Sequence, residues 1–406
     1  MKTSNADTLT IVLLGIAHGT SHFYHLVIPP LYPWLMPAFD LNFAQAGFIM
    51  TAFYVVSTVG QATSGFLVDK FGARRSLNAG IAMLAIGSFL LACAQNYAML
   101  IASGICYGLG NCVFHPADYS IINKGISEKN LAYAFSVHSI VGNIGWAIAP
   151  TIIVGLAITF SWRVSAIAAG VLGVAVLALM LTNRAAFLAT DVIEKPKPLA
   201  TQRAVTPEGG TFAFLGHSVI WFAFAFFFFT SAATGILQNF SPSVFTKTYG
   251  ITLEVATAGL TAYLIGSCSG VVIGGFLAKR AKSSLSVVVA TLTLSALSAI
   301  LLSWQGLGFW SVMPLMFTIG FGVGAAGPSR DLLIRGSAMV RFGASAFGRI
   351  YGFVYCGMDL GGMLAPIIGG LLLDAGNYTL PLFFVGIFQF IAIFTVLQFK
   401  GKTKSA

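Results

Sequence analysis

Histidine side chains recur along one face of the first long apolar segment of this 406-residue chain. His18, His22 and His25 stand at positions i, i+4 and i+7, which share one face of an α-helix. Imidazole titrates near neutral pH, so such a stripe can carry protons or bind a solute, or it can hold the helix against its neighbours. A metal ion is a third possibility. However, His25 would lie about 10 Å along the axis from His18, and no carboxylate or cysteine completes a ligand set, so we predict no metal site.

A second polar stripe follows one face of the fourth apolar segment. Its members are Tyr107, Asn111, His115 and Asp118, spaced i, i+4, i+8 and i+11. Polar groups in hydrocarbon are costly and usually functional, so we predict substrate or coupling roles for them. Pro116 removes a helix hydrogen bond, and His115 could instead satisfy the carbonyl that this proline frees.

Two further polar groups lie in the second half of the chain. Tyr355 and Asp359 are i and i+4 on a helix that we expect to begin near residue 345. Asp359 would then lie roughly 21 Å along that helix, inside an apolar layer about 30 Å thick. We predict that it is the only carboxylate so placed and that it takes part in proton coupling. The alternative is that it only ties its helix to neighbouring helices.

Two more interactions are predicted from position. Arg330 corresponds to Asp118 in the internal repeat described below, so the two could pair across the halves and close a gate. Arg330 could otherwise reach the membrane interface or attract an anionic substrate. His138 shares a helical face with Gly142 and Gly145, for which we predict a packing role.

The elements that carry these residues must cross a membrane. Charged residues make up 8% of the chain, against about 25% in soluble domains, and hydrophobic residues make up 57%. This composition excludes a soluble, disordered or disulfide-stapled protein. We predict an all-α polytopic membrane protein with twelve spans, at residues 9–30, 43–66, 76–94, 97–120, 131–157, 162–183, 213–240, 254–277, 284–304, 308–333, 345–372 and 378–399.

The two halves of the chain repeat each other. Gly65-Phe66-Leu67 returns as Gly275-Phe276-Leu277, and Pro116 returns as Pro328. We therefore predict two pseudo-symmetric six-helix bundles, 1–183 and 212–406, joined by a proline-containing linker at 184–211.

Basic residues predict the orientation. Of the 22 Lys and Arg, all but Arg163 and Lys247 fall on one side of the predicted spans. By the positive-inside rule both termini and the linker are cytoplasmic. The net charge of +10 is therefore a topology signal and does not indicate nucleic-acid binding.

The loop between spans 2 and 3 carries a family signature. Residues 65–77 read GFLVDKFGARRSL, which resembles the signature loop of the major facilitator superfamily. The resemblance implies the twelve-helix alternating-access fold, with spans 1, 4, 7 and 10 lining a central cavity. It also implies a conformational latch formed by Asp69, Gly72, Arg74 and Arg75. Asp69 could dock against the positive N-terminus of span 11 and stabilise the outward-open state.

Two features narrow the resemblance. Proton-coupled drug exporters of the superfamily usually carry an arginine in span 4 where this chain has Gly104, which argues against their mechanism. The sequences GIAHGTSHFYHLVIPPLYPWL in span 1 and VFHPADYS in span 4 are similar to the fosmidomycin-resistance-like branch. That branch often has an aspartate at the position of His22.

We therefore predict a secondary transporter that moves a small organic solute across the bacterial inner membrane by alternating access and is coupled to protons. The alternatives are a drug or metabolite efflux pump, or a metal or metal-chelate transporter that uses the histidines of span 1. No phosphate-binding loop and no catalytic spacing of Ser, His and Asp is present, so we predict neither ATP hydrolysis nor an enzyme. We expect no cofactor, no nucleic-acid partner and a monomer in the bilayer.

Overall fold

A computed structural model of the chain describes residues 5–190, 213–342 and 347–398. Within these ranges the regular structure is entirely helical, and twelve segments are long and apolar enough to span a membrane. The predicted all-α fold with twelve spans is confirmed. The α-helices are α1 (Asn5–His25), α2 (Tyr32–Phe39), α3 (Phe43–Phe71), α4 (Ala73–Ala92), α5 (Tyr97–Asn111), α6 (Phe114–Gly125), α7 (Leu131–Thr159), α8 (Trp162–Thr182), α9 (Ser218–Tyr249), α10 (Leu253–Arg280), α11 (Ser284–Ser303), α12 (Val312–Phe342), α13 (Phe347–Asp374) and α14 (Leu380–Leu397).

Two spans are each built from two helices. The first span runs over Asp7–Phe39, because α1 continues through a 3₁₀ turn at Pro29–Leu31 into α2. It is longer than predicted, since the two prolines start this turn and do not end the span. The fourth span is interrupted between α5 and α6, at Cys112 and Val113. Pro116 falls in the first turn of α6, where its missing N–H removes no hydrogen bond within the helix.

The chain divides into two compact units, Met1–Lys195 and Pro196–Ala406, and both use the same helix pairs. In the first unit α1 packs on α7, α3 and α4 on α5, and α4 on α8. In the second unit α9 packs on α13, α10 and α11 on α12, and α11 on α14. Counted in spans, these pairs are identical, as expected for a duplicated six-helix bundle.

Glycine allows the first span to pack closely against the fifth. A Cβ atom built on Gly145 of α7 would lie 2.0 Å from the backbone oxygen of Gly19 on α1. No side chain fits at that distance, so the backbones of α1 and α7 touch only because residue 145 is glycine. This contact places side chains of both helices within a few ångströms of each other.

The predicted linker begins with residues that pack on the first unit. Arg184–Thr190 form a 3₁₀ segment in which the Phe187 side chain is fully buried. Thr10 Oγ1 on α1 donates a hydrogen bond to the Ala186 carbonyl at 2.9 Å. The rest of the predicted linker, residues 191–212, lies outside the described residues.

Candidate functional site

Asp118 lies at the centre of a buried histidine cluster in the first unit. Its side chain is 0% exposed. Its Oδ2 accepts hydrogen bonds from His18 Nδ1 at 2.9 Å and from His138 Nε2 at 3.0 Å. The two imidazoles stack on each other with ring centroids 3.5 Å apart. We call these three residues the histidine–aspartate centre.

Three helices that are distant in sequence build this centre. His18 comes from α1, Asp118 from α6 and His138 from α7. Gly142, one turn after His138 on α7, leaves room for the imidazoles of α1. A Cβ atom there would lie 2.9 Å from His22 Cε1 and 3.0 Å from His18 Nε2. A larger residue at 142 would push the histidine rings out of their positions.

A second layer of aromatic rings surrounds the centre. His22 lies 4.4 Å from the ring of His18 and stacks on Trp146 of α7 at 4.2 Å. His115, on α6, lies 5.5 Å from the ring of His18. His22, His115 and Trp146 are all partly exposed, whereas the residues of the centre are buried. The cluster of rings around Asp118 therefore extends from buried side chains to side chains that are partly exposed.

His25 belongs to a separate hydrogen-bonded chain next to the cluster. Its Nε2 lies 2.9 Å from Asn111 Oδ1, an oxygen that can only accept, so His25 donates from Nε2. Asn111 Nδ2 in turn donates to Ser57 Oγ at 2.8 Å. Two predicted site residues, His25 and Asn111, therefore bond directly to each other and connect α1, α3 and α5.

Four polar atoms of the cluster are buried without a hydrogen-bond partner. They are Asp118 Oδ1, His22 Nδ1, His115 Nδ1 and Trp146 Nε1, out of nine such side-chain atoms in the described part of the chain. A buried polar atom without a partner costs about 1–3 kcal/mol. Their concentration at one place indicates groups whose partners do not come from the protein itself, such as a proton, a water molecule or a solute.

The centre also has the composition of a metal site. One ligand atom each from His18, Asp118 and His138 lie within 4.8 Å of one another. However, both nitrogens lie at N–H···O distance from the same carboxylate oxygen, so hydrogen bonds account for the geometry without an ion. His22 and His25 are not members of this group, so the histidines of α1 do not form a common ligand set among the described residues. The predicted absence of a metal stays a prediction.

Two sequence-based interpretations need correction. His138 was assigned to packing, yet it donates to Asp118; no spacing within one helix could reveal this contact. Asp359 was expected to be the only carboxylate inside the apolar interior, and this is wrong, because Asp118 is fully buried within the fourth span. His18 and Asp118 bond to each other inside the first unit, and the cavity lined by spans 1 and 4 stays a prediction.

Tyr107 does not join the other members of its predicted stripe. Its side chain is fully buried, its hydroxyl lies 2.7 Å from Ser88 Oγ on α4, and its ring meets the edge of Tyr24 at 5.3 Å. The interruption between α5 and α6 separates Tyr107 from His115 and Asp118, so the constant helical spacing assumed from the sequence does not hold.

Two of the predicted residues of the second unit, Arg330 and Tyr355, pack against the same aromatic ring. Arg330 Nε donates to Asp331 Oδ1 at 2.9 Å, and the guanidinium lies 4.6 Å from the centroid of the Phe227 ring. Tyr355 also packs against Phe227, with ring centroids 4.9 Å apart. Asp359 is partly exposed. The pairing of Arg330 with Asp118 stays a prediction.

The signature loop forms the turn between α3 and α4. Asp69 and Arg75 are exposed, and Arg74 is partly exposed. Gly72 ends α3 and precedes α4 with φ 88°, a conformation that favours glycine and explains this position of the motif. Because the Asp69 side chain is exposed, it is accessible to a partner. The latch stays a prediction.

The chain matches the family model described as Major Facilitator Superfamily over residues 14–341. It is 24% identical to the fosmidomycin resistance protein of Escherichia coli (strain K12), over 88% of this chain and 84% of that protein. It is 22% identical to the hexuronate transporter of Bacillus subtilis (strain 168), over 97% of this chain and 94% of that protein. Its fold is similar to the crystal structure of a bacterial homolog of the human lysosomal transporter Spinster, with a TM-score of 0.76, 14% identity and 98% of each chain covered.

Proposed function

Because this chain belongs to the major facilitator superfamily, we propose that it is a proton-coupled secondary transporter that moves a small organic solute across the bacterial inner membrane by alternating access. The observation that carries this proposal is the state of Asp118. One oxygen of this fully buried carboxylate accepts two hydrogen bonds, and the other has no partner. We infer that a proton binds at the oxygen that has no partner.

The chemistry of the centre supports proton coupling. A buried ionised carboxylate needs a compensating charge, which one proton bound at the centre supplies. A second proton can bind at Asp118 Oδ1 and leave the centre with a net positive charge. Each step changes the interactions among α1, α6 and α7, because the three groups come from these three helices. A proton that binds two conformations with different affinity shifts the equilibrium between them.

The names of the relatives suggest solutes for the first experiment. They include a fosmidomycin resistance protein, a hexuronate transporter and the quinolone resistance protein NorA of Staphylococcus aureus, which is 23% identical over 90% of this chain. Cells that express the protein should be screened for resistance to fosmidomycin and quinolones and for uptake of labelled hexuronates. Scoring both directions separates uptake from efflux, which the sequence leaves open.

The test of coupling uses purified protein in liposomes and the solute found in that screen. The wild-type protein is expected to accumulate the solute under a pH gradient and to catalyse counterflow without one. Asp118→Asn should lose accumulation while counterflow survives, because the amide keeps the shape of the side chain but cannot take the proton.

The matched control is Asp40→Asn. Asp40 is an exposed carboxylate of the same unit with φ 51°, a conformation that asparagine also tolerates. It should leave both activities unchanged. Normal pH-driven accumulation by Asp118→Asn would remove the centre from the coupling mechanism.

The orientation is proposed from the basic residues: both termini and residues 184–211 face the cytoplasm. Single cysteines at positions 200 and 247 in a cysteine-free background should react with an impermeant reagent from opposite sides. Labelling of position 200 in intact cells would reverse the proposed topology.

A further inference from the structure

Three unpartnered ring nitrogens lie next to the histidine–aspartate centre and have no part in its hydrogen bonds. They belong to His22 on α1, His115 on α6 and Trp146 on α7. The ring of His22 lies 4.2 Å from that of Trp146 and 6.5 Å from that of His115. The three nitrogens are themselves buried, and each side chain is partly exposed through its other atoms.

The donor chemistry of these rings selects the ligand. The indole Nε1–H of Trp146 can only donate a hydrogen bond, so its partner must be an acceptor. A neutral imidazole carries one N–H, and with that N–H on Nδ1 both His22 and His115 can donate a hydrogen bond from the unpartnered nitrogen. Three neighbouring ring N–H groups without an acceptor from the protein can be satisfied by a group with several acceptor oxygens.

The distribution of charged residues in the first unit also favours an anionic ligand. In its described spans, Lys and Arg lie only in the first or last turn of a helix, at Lys70, Arg74, Arg75, Lys124 and Arg163. Among the described residues, histidine is therefore the side chain that can carry positive charge in the interior of this unit. The single carboxylate of the cluster, Asp118, is enclosed by His18 and His138 and is 0% exposed. A negatively charged ligand at His22, His115 and Trp146 would not meet an exposed carboxylate of the cluster.

We propose that His22, His115 and Trp146 bind an oxyanion group, a carboxylate or a phosphonate, on the transported solute. The inference deepens the proposed function and rests on it, because it takes the solute site to be next to the proton site. Charge balance links the two events. An anion that enters together with a proton adds no net charge to the low-dielectric interior, whereas an anion alone would add one.

The experiment measures binding and does not depend on transport. Purified protein in detergent is melted with pairs of compounds of similar size, one anionic and one neutral: glucuronate with glucose, gluconate with sorbitol, and phenylphosphonate with benzyl alcohol. A ligand that binds the folded state raises the melting temperature in proportion to the logarithm of its saturation. We expect at least one anion, and none of the neutral partners, to stabilise the wild-type protein.

Trp146→Phe keeps the aromatic ring that stacks on His22 but removes the N–H. It is expected to weaken binding of the anion about tenfold to a hundredfold, the loss typical of a hydrogen bond to a charged group. His115→Asn should weaken binding similarly. The matched control is Trp34→Phe, on α2 and outside the cluster, which should bind the anion as the wild-type protein does.

Two results would overturn the inference: no anion of the panel stabilises the protein, or Trp146→Phe and His115→Asn both bind the anion normally. In either case the loss of pH-driven accumulation in Asp118→Asn would leave the proposed function standing. Conversely, normal accumulation by Asp118→Asn would refute proton coupling at the centre, even where anion binding at the three rings is observed.

Discussion

The two units share a packing frame but differ in the chemistry at its centre. In the first unit Gly145 of α7 meets the backbone oxygen of Gly19, and in the second Gly361 of α13 meets that of Phe228; added Cβ atoms would lie 2.0 and 2.3 Å from these oxygens. Both glycines occupy the same place in the internal repeat. The close contact between the first and fifth spans of each unit is therefore preserved.

The residues around that contact are not preserved. When the two glycine contacts are matched, His18 and His138 correspond to Phe227 and Val354. The match of Pro116 with Pro328 pairs Asp118 with Arg330. In the first unit the three side chains form a hydrogen-bonded centre. In the second, Phe227 and Val354 belong to one apolar core, and Arg330 lies over the face of the Phe227 ring. One copy of the duplicated bundle therefore holds titratable side chains where the other holds a hydrophobic core.

The largest expected difference between the units concerns their buried or half-buried carboxylates. Asp118→Asn should abolish pH-driven accumulation of the solute, because the only acidic member of the centre is lost. Asp359→Asn should reduce accumulation by a few fold at most, since Asp359 is partly exposed and lies outside any such centre. Side-by-side transport in proteoliposomes checks this, with counterflow as the measure of folding. An equal and complete loss in Asp359→Asn would show that both units carry coupling groups.

Because both units share the close glycine contact between their first and fifth spans, we predict that its disruption lowers stability equally in both. Gly145→Ala and Gly361→Ala should each destabilise the protein by about 1–3 kcal/mol, because the added methyl group meets a backbone oxygen that cannot move aside easily. Gly155→Ala on α7 is the control, since nothing lies within 4 Å of its added Cβ. Melting temperatures of the three purified variants measure the effect. A normal melting temperature for Gly361→Ala alone would mean that the frame is tight only in the first unit.

The pH dependence of accumulation should depend on the first unit. His18→Asn and His138→Gln place an amide N–H near the nitrogen that donates to Asp118, so they keep the hydrogen bonds but cannot titrate. The double variant should therefore show a flatter dependence of the transport rate on pH than the wild-type protein, with a severalfold lower rate. The rings of His22 and His115 and the Asp118 carboxylate remain as titratable neighbours. An unchanged profile would place the sensed proton elsewhere.

The smallest expected effect comes from the signature loop, which only the first unit carries in full. Asp69→Asn should leave folding intact, since Asp69 is exposed, and should reduce transport by a few fold by weakening the proposed latch. The accessibility of single cysteines from the cytoplasmic side should rise in the same variant. Lys279, which follows Gly275-Phe276-Leu277-Ala278 in the second unit, provides the comparison: Lys279→Gln should have no such effect.

The sequence predicted many of the residues of the site, but it did not predict which of them contact each other. The i, i+4, i+7 spacing predicted that His18, His22 and His25 share one face of α1, and the structure has them on one helix with rings close together. The spacing could not predict the partners of each ring. His18 meets Asp118, His22 meets Trp146 and His25 meets Asn111, because α6, α7 and α5 reach different heights along α1.

The contacts of Trp146 and His138 were not predicted from the sequence. Both lie on α7 near Gly142 and Gly145, a pattern that indicates close helix packing and hides any chemistry. One feature of the sequence could have indicated these contacts. His138 and Trp146 lie beside Gly142 and Gly145 inside a membrane span, so a helix that packs against the glycines must also contact these two side chains.

The twelve spans, the duplication and the family follow from the amino-acid sequence, because long apolar runs have no stable alternative to membrane helices and because repeats and motifs are properties of the chain. The sequence also shows which titratable side chains lie in the spans. That His18 and His138 enclose Asp118 is a result of helix packing. Hydrogen bonds between helices depend on the angle and height at which the helices meet. In the first unit those are set by backbone contacts such as Gly145 on Gly19, which no spacing within one helix encodes.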